Sequence, residues 1–300
     1  MSNSNPLVSV GIPTYNRAAG LRQTLECITT QTYQNLQIIV SDNCSPDPEV
    51  ALVLKEYADK DSRVIPFIQS ENRGPGENFE FVFKQSSGDY YMWAADDDYW
   101  AAEFIEEMVA LLQSNEQASV AFCSLIVKST GEIFDYNTDH ADLSSPNLDK
   151  RLKNFLLWKE GRLGKGSIVY GLHRRDKLAI SQASIFDYSN DIKNFSPDIL
   201  QTYYFLLSGP VIFSSKPLFT LTLPGTGFVS YTSFVYNKND FTKNLAKLWR
   251  REKFYFTVSK TIWNSEASFA CFLYSLFTIF TRHLYAFVGS IKRAFGLKTL

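Results

Sequence analysis

The first 115 residues alternate short apolar runs with longer amphipathic stretches. Apolar runs at 7–12, 36–42, 64–70 and 89–96 have the length and the β-branched or aromatic content of strands. The stretches between them have helical periodicity; in the first, Leu21, Leu25 and Ile28 stand four and three residues apart. Strands that alternate with helices predict an α/β fold with a mainly parallel sheet covered on both faces.

The same pattern continues more weakly in the second third of the chain. We predict a helix at 102–114 and a strand at 118–129, followed by a polar, acid-rich loop at 131–150. The segment 190–209 predicts a loop that leads into a helix, and 211–225 predicts either a strand pair or a strand and a turn.

Each of the first four predicted strands is followed by a polar cluster. These clusters are "PTYNR" at 13–17, "SDN" at 41–43, "ENRGPGEN" at 71–78 and "DDD" at 96–98. Ligands of parallel sheets bind beyond the carboxyl ends of the strands, where all four clusters would meet. The sequence therefore predicts a binding site along this edge.

Composition and charge narrow the class of protein. Apolar residues make up 45% and charged residues 20% of the 300 residues, which is typical of a globular chain. The net charge of −1 excludes a generally basic nucleic-acid binder, so we expect no nucleic-acid partner. The segment 238–300 holds 11 Lys/Arg and 3 Asp/Glu, which leaves an acidic body with a basic tail. Four widely spaced cysteines without CxxC motifs favour a reducing, cytoplasmic compartment.

Three adjacent aspartates in the aromatic stretch "YYMWAADDDYW" are the main candidates for chemistry. Carboxylates repel one another, and their burial is costly unless a cation neutralises them. Mg²⁺ and Mn²⁺ take oxygen ligands, and Mg²⁺ is usually held by one or two carboxylates together with substrate phosphates. In an extended chain Asp96 and Asp98 would share a face, with Asp97 on the other. An acidic turn or a helix N-cap is the structural alternative.

Two longer segments place these clusters in a known family. "PLVSVGIPTYNRAAGLRQTLECITTQTYQNLQIIVSDNCSPD" and "ENRGPGENFEFVFKQSSGDYYMWAADDDYW" resemble the family 2 glycosyltransferases of the GT-A fold. The resemblance covers about the first 110 residues and continues faintly to about 225. It implies a GT-A domain at 1–230, with a nucleotide-sugar-binding half at 1–110 and an acceptor-side half at 111–230. A basic, apolar helical extension would follow at 231–300.

The resemblance also implies which residues bind the nucleotide-sugar donor. Tyr15 would stack on the base, Arg17 would face a phosphate, and Asp42 would accept a hydrogen bond from the uracil ring. Many members carry two acids at the second strand end, but this chain has Ser41 before Asp42, which weakens the inference about the base. The full donor set comprises Pro13, Thr14, Tyr15, Asn16, Arg17, Asp42, Asn72, Arg73, Gly74, Asn78, Asp96 and Asp97.

The metal site that the resemblance implies can be read in two registers. The family's Asp-x-Asp motif binds Mn²⁺ or Mg²⁺, which bridges the donor diphosphate. In one register Asp96 and Asp98 form the pair. In the other, Ala95 stands where the first acid is usual and Asp97 is the principal ligand. Both registers remain open from sequence.

An inverting transfer also needs a general base for the acceptor hydroxyl. The family places an acid at the start of a helix about a hundred residues after the metal motif, usually as "ED". Here "FSPDILQ" resembles that segment, with Pro197 in place of the glutamate, so Asp198 is the first candidate and Asp191 the second. A helix-start acid that interacts with the helix dipole is the structural alternative.

The apolar run 267–281 near the chain end has no charged residue, but at 15 residues it is shorter than a membrane span needs. Basic residues follow it, so it predicts either a helix buried against the domain or one lying in the inner membrane interface.

Together these features predict a metal-assisted, inverting glycosyltransferase. It would move one sugar from a UDP or dTDP donor to a lipid-linked or polysaccharide-precursor acceptor. The processive members of the resembled family carry a "QxxRW" motif, and its absence here argues against polymer synthesis. The alternatives are an inactive nucleotide-sugar or partner-binding module and a nucleotidyltransferase with a similar sheet.

Overall fold

A computed structural model describes residues 5–158, 164–178 and 197–222, together with 267, 269, 271–273 and 276–277 near the chain end. Within these residues a single sheet forms the centre of the molecule, in the order β3-β2-β1-β4-β8-β6-β9-β5, with β7 beside β6. The strands are β1 Val8–Thr14, β2 Leu36–Asp42, β3 Val64–Ile68, β4 Tyr90–Trp93, β5 Tyr99–Trp100, β6 Val120–Val127, β7 Ile133–Phe134, β8 Leu172–Arg174 and β9 Val211–Leu221.

Helices cover the sheet. They are α1 Ala18–Thr29, α2 Pro48–Lys60, α3 Pro75–Lys84, α4 Phe104–Ser114, α5 Tyr136–Asp139, α6 Leu148–Leu157 and α7 Pro197–Ser208, with short 3-10 helices at Ala141–Ser144 and Ser167–Tyr170. Strand β1 is buried along its whole length, as expected for a central parallel strand with both faces covered. The prediction of a mainly parallel α/β sheet is confirmed: β3, β2, β1 and β4 run parallel.

Local chemistry explains where the helices start and which faces they bury. Helix α2 begins at Pro48, whose missing N–H is not needed there, and the Asp47 side chain caps it by accepting from the Glu49 N–H. Helix α1 buries Leu21, Leu25 and Ile28, the three residues that the periodicity identified.

Three predicted elements differ from the structure. The stretch 131–150 is not a loop: it forms β7, α5, a 3-10 helix and the start of α6. The run after Pro210 is a single 11-residue strand, because a bulge between the pairs Cys123–Ser214 and Ser124–Pro217 absorbs two extra residues and accommodates Pro217. Strand β4 ends at Trp93, and the chain turns at Asp96 and Asp97, so the aspartates do not alternate as they would in an extended strand.

The predicted division at residue 230 lies outside the described residues. Of the predicted C-terminal extension, the described residues near 270 include helical positions, and Cys271 is fully buried against the core. None of the described helices has the length and apolar character that a membrane crossing would require.

Candidate active site

The acidic turn packs against the end of β1. Thr14 Oγ1 donates to Asp96 Oδ2 at 2.8 Å, and both side chains are buried. Arg17 Nη1 reaches Asp96 Oδ1 and Asp97 Oδ2, each at 2.9 Å, and these acids raise the pKa of the guanidinium. Both oxygens of Asp96 are therefore occupied by protein donors.

The Asp98 side chain contacts the chain just after β9 and not the end of β1. Its Oδ1 accepts from the backbone N–H of Thr222, just after β9, at 2.8 Å. Only 2% of Asp98 is exposed. Burial is the main reason that the pKa of its carboxyl is raised to about 7. The hydrogen bond from Thr222 lowers this pKa, and the charges of Asp97 and Asp96 raise it. Burial likewise raises the pKa of Asp96. Arg17 therefore contacts two of the three acids, and Asp98 has a different partner.

This donor set fits a hard divalent cation that is completed by a ligand. In the described residues no group of three His, Cys, Asp or Glu side chains forms a ready metal cage. Mg²⁺ is usually held by one or two carboxylates, with its further oxygen ligands supplied by phosphates and water. Asp97 Oδ1 and Asp98 Oδ2 accept no hydrogen bond from the described chain, so these two acids are the ones that would hold the cation.

Asp42 lies at the neighbouring strand end, also buried. Its Oδ1 accepts from both the backbone N–H and the hydroxyl of Ser45, while the Ser45 hydroxyl accepts from the Asn16 N–H at 2.7 Å. Asn16 adopts a positive φ of 57°, so this contact ties the loop after β1 to the loop after β2. Asp42 Oδ2 accepts no hydrogen bond from the described chain.

The loop before α3 lies beside these residues. Asn43 donates to Asn72 Oδ1 at 2.9 Å and to the Gly74 carbonyl at 3.1 Å, and it accepts from the Arg73 N–H. Gly74 has a φ of 87°, which only glycine adopts without strain. A small cavity of about 140 Å³ opens here, lined by Asn43, Gln69, Arg73, Glu77, Asn78, Glu80, Phe81 and Lys84.

Two residues at this edge have mainly structural contacts. Asn78 is 4% exposed; its amide donates to the carbonyls of Thr14 and Ser41 and accepts from the Ser41 hydroxyl. Ser41 is fully buried, and its hydroxyl also accepts from the Gln69 amide. Thr14 and Pro13 are buried too, whereas Tyr15 and Arg17 are exposed.

Asp198 stands at the start of α7, as predicted, and is partly exposed. Burial raises the pKa of its carboxyl. The carboxylates of Asp98 and Asp198 both raise the pKa of the Tyr170 phenol, for which burial is the larger cause. One phenol therefore lies within electrostatic range of both acids. Asp191, the second candidate base, lies outside the described residues.

Sequence reasoning missed Tyr170, Thr222 and the contact between Gly166 and Asp198. A Cβ on Gly166 would lie 2.0 Å from Asp198 Oδ2. The glycine-rich composition around 161–171 was the available signal. The Thr222 contact depends on a backbone N–H, which every residue other than proline has, so no motif could reveal it.

The pair Arg174 and Arg175 lies at the opposite edge of the sheet. Tyr90, the first residue of β4, pairs with Arg174. Arg174 donates to the carbonyls of Leu112 and Ala118, and Arg175 to Ser86. These arginines hold helix ends and are remote from the acidic turn.

Comparisons with known proteins identify the family of this chain. The family model for Glycosyl transferase family 2 matches residues 9–170. An uncharacterized glycosyltransferase of Rickettsia typhi is 33% identical over 116 residues, which are 39% of this chain and 35% of that protein. The chain also covers only part of other such relatives, for example 17% of one from Rickettsia felis and 49% of one from Haemophilus influenzae.

Solved structures share the fold. S. aureus TarS 1–349 in complex with UDP superposes with a TM-score of 0.66 at 16% identity, covering 93% of this chain and 72% of that one. A mannosyltransferase of Pyrobaculum calidifontis in complex with GDP-Man and Mn²⁺ gives a TM-score of 0.53 at 14% identity, covering 97% of this chain and 81% of that one. The family model matches more than half of this chain. The chain therefore belongs to glycosyl transferase family 2, and it has the GT-A fold.

Proposed function

We propose that this protein is an inverting glycosyltransferase that moves one sugar from a uridine or deoxythymidine diphosphate sugar to a hydroxyl of a lipid-linked or polysaccharide-precursor acceptor. The observation that carries the proposal is the junction of the acidic turn with the loops after β1 and β2 at one sheet edge, together with the charges of Asp98 and Asp198 that both act on the Tyr170 phenol. The structure with UDP among the fold neighbours supports the choice of donor.

The proposed reaction assigns each proton and bond. The acceptor hydroxyl gives its proton to the Asp198 carboxylate while its oxygen attacks the anomeric carbon. The bond from that carbon to the diphosphate breaks, and the nucleoside diphosphate leaves with the electron pair. Mn²⁺ or Mg²⁺, held by Asp97 and Asp98, would supply Lewis-acid stabilisation of the departing diphosphate.

The donor half of the site has distinct contacts for base and phosphate. Tyr15 is 44% exposed beside the Asp42 loop and offers a stacking face. Asp42 Oδ2 would accept from a base ring N–H, and the exposed Arg73 lies next to the cavity before α3. Arg17 holds Asp96 and Asp97 and leaves part of its guanidinium exposed for a phosphate.

Thermal stability with nucleotides tests this proposal first. UDP, dTDP, GDP and CDP are each added with and without Mn²⁺ to the wild type and to Asp97→Ala/Asp98→Ala. A ligand that binds only the native state raises the melting temperature. We expect UDP or dTDP to stabilise the wild type only with Mn²⁺, and the double variant to lose the response. No shift with any nucleotide would refute donor binding, and binding without sugar release from any donor would indicate a binding module.

A membrane contact near the C-terminus is the second part of the proposal. Phe269, Leu273, Leu276 and Phe277 are between 40% and 64% exposed, whereas Cys271 packs against the core. The sequence from 281 to 300 contains four Lys/Arg and no Asp or Glu. Exposed apolar side chains next to basic residues suit an anionic lipid surface, which is where a lipid-linked acceptor would be found.

Vesicle flotation tests this contact. We expect the protein to float with vesicles of phosphatidylcholine and phosphatidylglycerol, and Phe269→Ser/Phe277→Ser to float markedly less. Leu52→Ser/Leu157→Ser is the matched control, because these leucines are 59% and 62% exposed on α2 and α6. Equal flotation of both double variants would contradict the proposal.

A further inference from the structure

Side chains of helix α1 bind the backbone carbonyls of the acidic turn, in addition to the contacts that the Arg17 side chain makes just before the helix. Thr24 Oγ1 donates to the Ala95 carbonyl at 2.9 Å, and this contact is buried. Gln23 Nε2 donates to the Asp98 carbonyl at 3.2 Å. Between them the Asp96 carbonyl lies against Gly20, where a Cβ would approach its oxygen to 2.0 Å.

These contacts bracket the turn. Thr24 fixes the peptide before Asp96, and Gln23 fixes the carbonyl of Asp98, so both sides of Asp96 and Asp97 are attached to one rigid helix. The absence of a side chain at Gly20 lets the turn approach the helix. The further contacts of Gln31 with the Ala101 carbonyl and the Ile105 N–H extend the same attachment to the start of α4.

We propose that Thr24 and Gln23 are positioning residues for the carboxylates of Asp97 and Asp98. By holding the flanking carbonyls they fix the direction in which both side chains leave the turn, and so they raise the affinity of the site for a divalent cation. The inference rests on the proposed function, since it concerns the same site. Neither residue touches the substrate; each acts through the turn.

Titration of Mn²⁺ in the presence of UDP, followed by the electron paramagnetic resonance of free Mn²⁺, tests this role without relying on turnover. We expect Thr24→Val to raise the Mn²⁺ Kd about tenfold, as loss of outer contacts to metal ligands commonly does. Thr24→Ser keeps the hydroxyl and should restore wild-type affinity. Thr29→Val is the matched control, because Thr29 donates to Leu25 within the same helix, away from the turn.

The outcomes separate a positioning role from a general effect on stability. An equal Mn²⁺ Kd for Thr24→Val and Thr29→Val would overturn the inference, whatever their melting temperatures. If Thr24→Val does not fold, Gln23→Leu decides: we expect its Kd to rise about threefold, because its hydrogen bond is longer and partly exposed, and an unchanged Kd overturns the inference. A wild type that binds no Mn²⁺ with any nucleoside diphosphate would refute the proposed function itself.

Discussion

Gly166 lies directly against the carboxylate of Asp198, so close that an added Cβ would come within 2.0 Å of Oδ2. Gly166 has an ordinary right-handed backbone conformation, with φ −83° and ψ −20°. The glycine is therefore needed for space and not for a special φ, and its substitution is a direct means of moving the proposed base.

Gly166→Ala should displace the Asp198 carboxylate while the backbone stays in place. We expect kcat to fall at least about tenfold, since small misplacement of a catalytic group is costly, and the affinity for UDP with Mn²⁺ to stay unchanged. Steady-state kinetics and the thermal response to UDP measure the two effects. A variant with wild-type kcat would argue against Asp198 as the base.

Asp198→Asn removes the proton acceptor with little change in volume. Loss of a general base lowers kcat by about 10²–10⁴-fold, and donor binding should persist because the acidic turn is intact. Transfer to an acceptor and nucleotide-induced stabilisation are measured on the same preparation. Retained transfer would direct attention to Asp191 as the base.

Replacement of an aspartate by asparagine should change the Mn²⁺ affinity less at Asp96 than at Asp97 or Asp98. Asp96→Asn keeps an oxygen that can accept from Thr14 but loses the acceptor for Arg17, so we expect the Mn²⁺ affinity in the presence of UDP to fall by less than about tenfold. Asp97→Asn and Asp98→Asn should each weaken Mn²⁺ binding more than about tenfold, because the loss of outer contacts alone commonly costs 10–100-fold. Calorimetric titration of Mn²⁺ measures these affinities. A loss of affinity confined to Asp96→Asn and Asp98→Asn would favour the register in which Asp96 and Asp98 form the metal-binding pair.

His173 should make the fold sensitive to acid. It is 1% exposed against Trp93 and Phe205, and burial lowers the pKa of its imidazole from 6.5 to about 4. Above pH 6.5 the His173 imidazole is neutral in both the folded and the unfolded protein, so its protonation does not change the free energy of unfolding. As the pH falls from 6.5 to 4 the unfolded state binds the proton first, so the free energy of unfolding falls by up to about 3 kcal/mol.

Urea denaturation between pH 7 and pH 4 measures this effect. His173→Leu should be less stable than the wild type at pH 7, because it changes the packing, but it should lose less stability on acidification. Parallel curves for the two proteins would show that the buried imidazole is not the source of the sensitivity.

Asn78 should affect stability more than a surface amide does. Its side chain joins β1, β2 and α3 through three buried hydrogen bonds, so Asn78→Ala leaves the Ser41 and Thr14 carbonyls without that donor. We expect the free energy of unfolding to fall by about 2–3 kcal/mol. Asn35→Ala is the control, because Asn35 makes one exposed contact to the Asn5 carbonyl. Similar denaturation midpoints for the two variants would contradict a structural role.

Periodicity and strand-end polarity were enough to predict the first half of the fold. Leu21, Leu25 and Ile28 repeat at helical spacing because α1 covers a sheet face, and burial of that face requires the pattern. The polar segments after β1, β2 and β4 meet because the carboxyl ends of parallel strands share one edge. The stretch 131–150 was misassigned as a loop because its elements are short and each buries only a few residues, so no period becomes visible in the sequence.

The sequence by itself determined the α/β class, the edge that holds the site, and the residue types available there. Tertiary structure decided which partners each of these residues has. Asp96, Asp97 and Asp98 are the same residue type, yet Thr14 and Arg17 donate to Asp96, and the N–H of Thr222, just after β9 and 124 residues further along the chain, donates to Asp98. The physical reason is that a carboxylate's role depends on its partners and its burial, and both are set by segments that are distant along the chain.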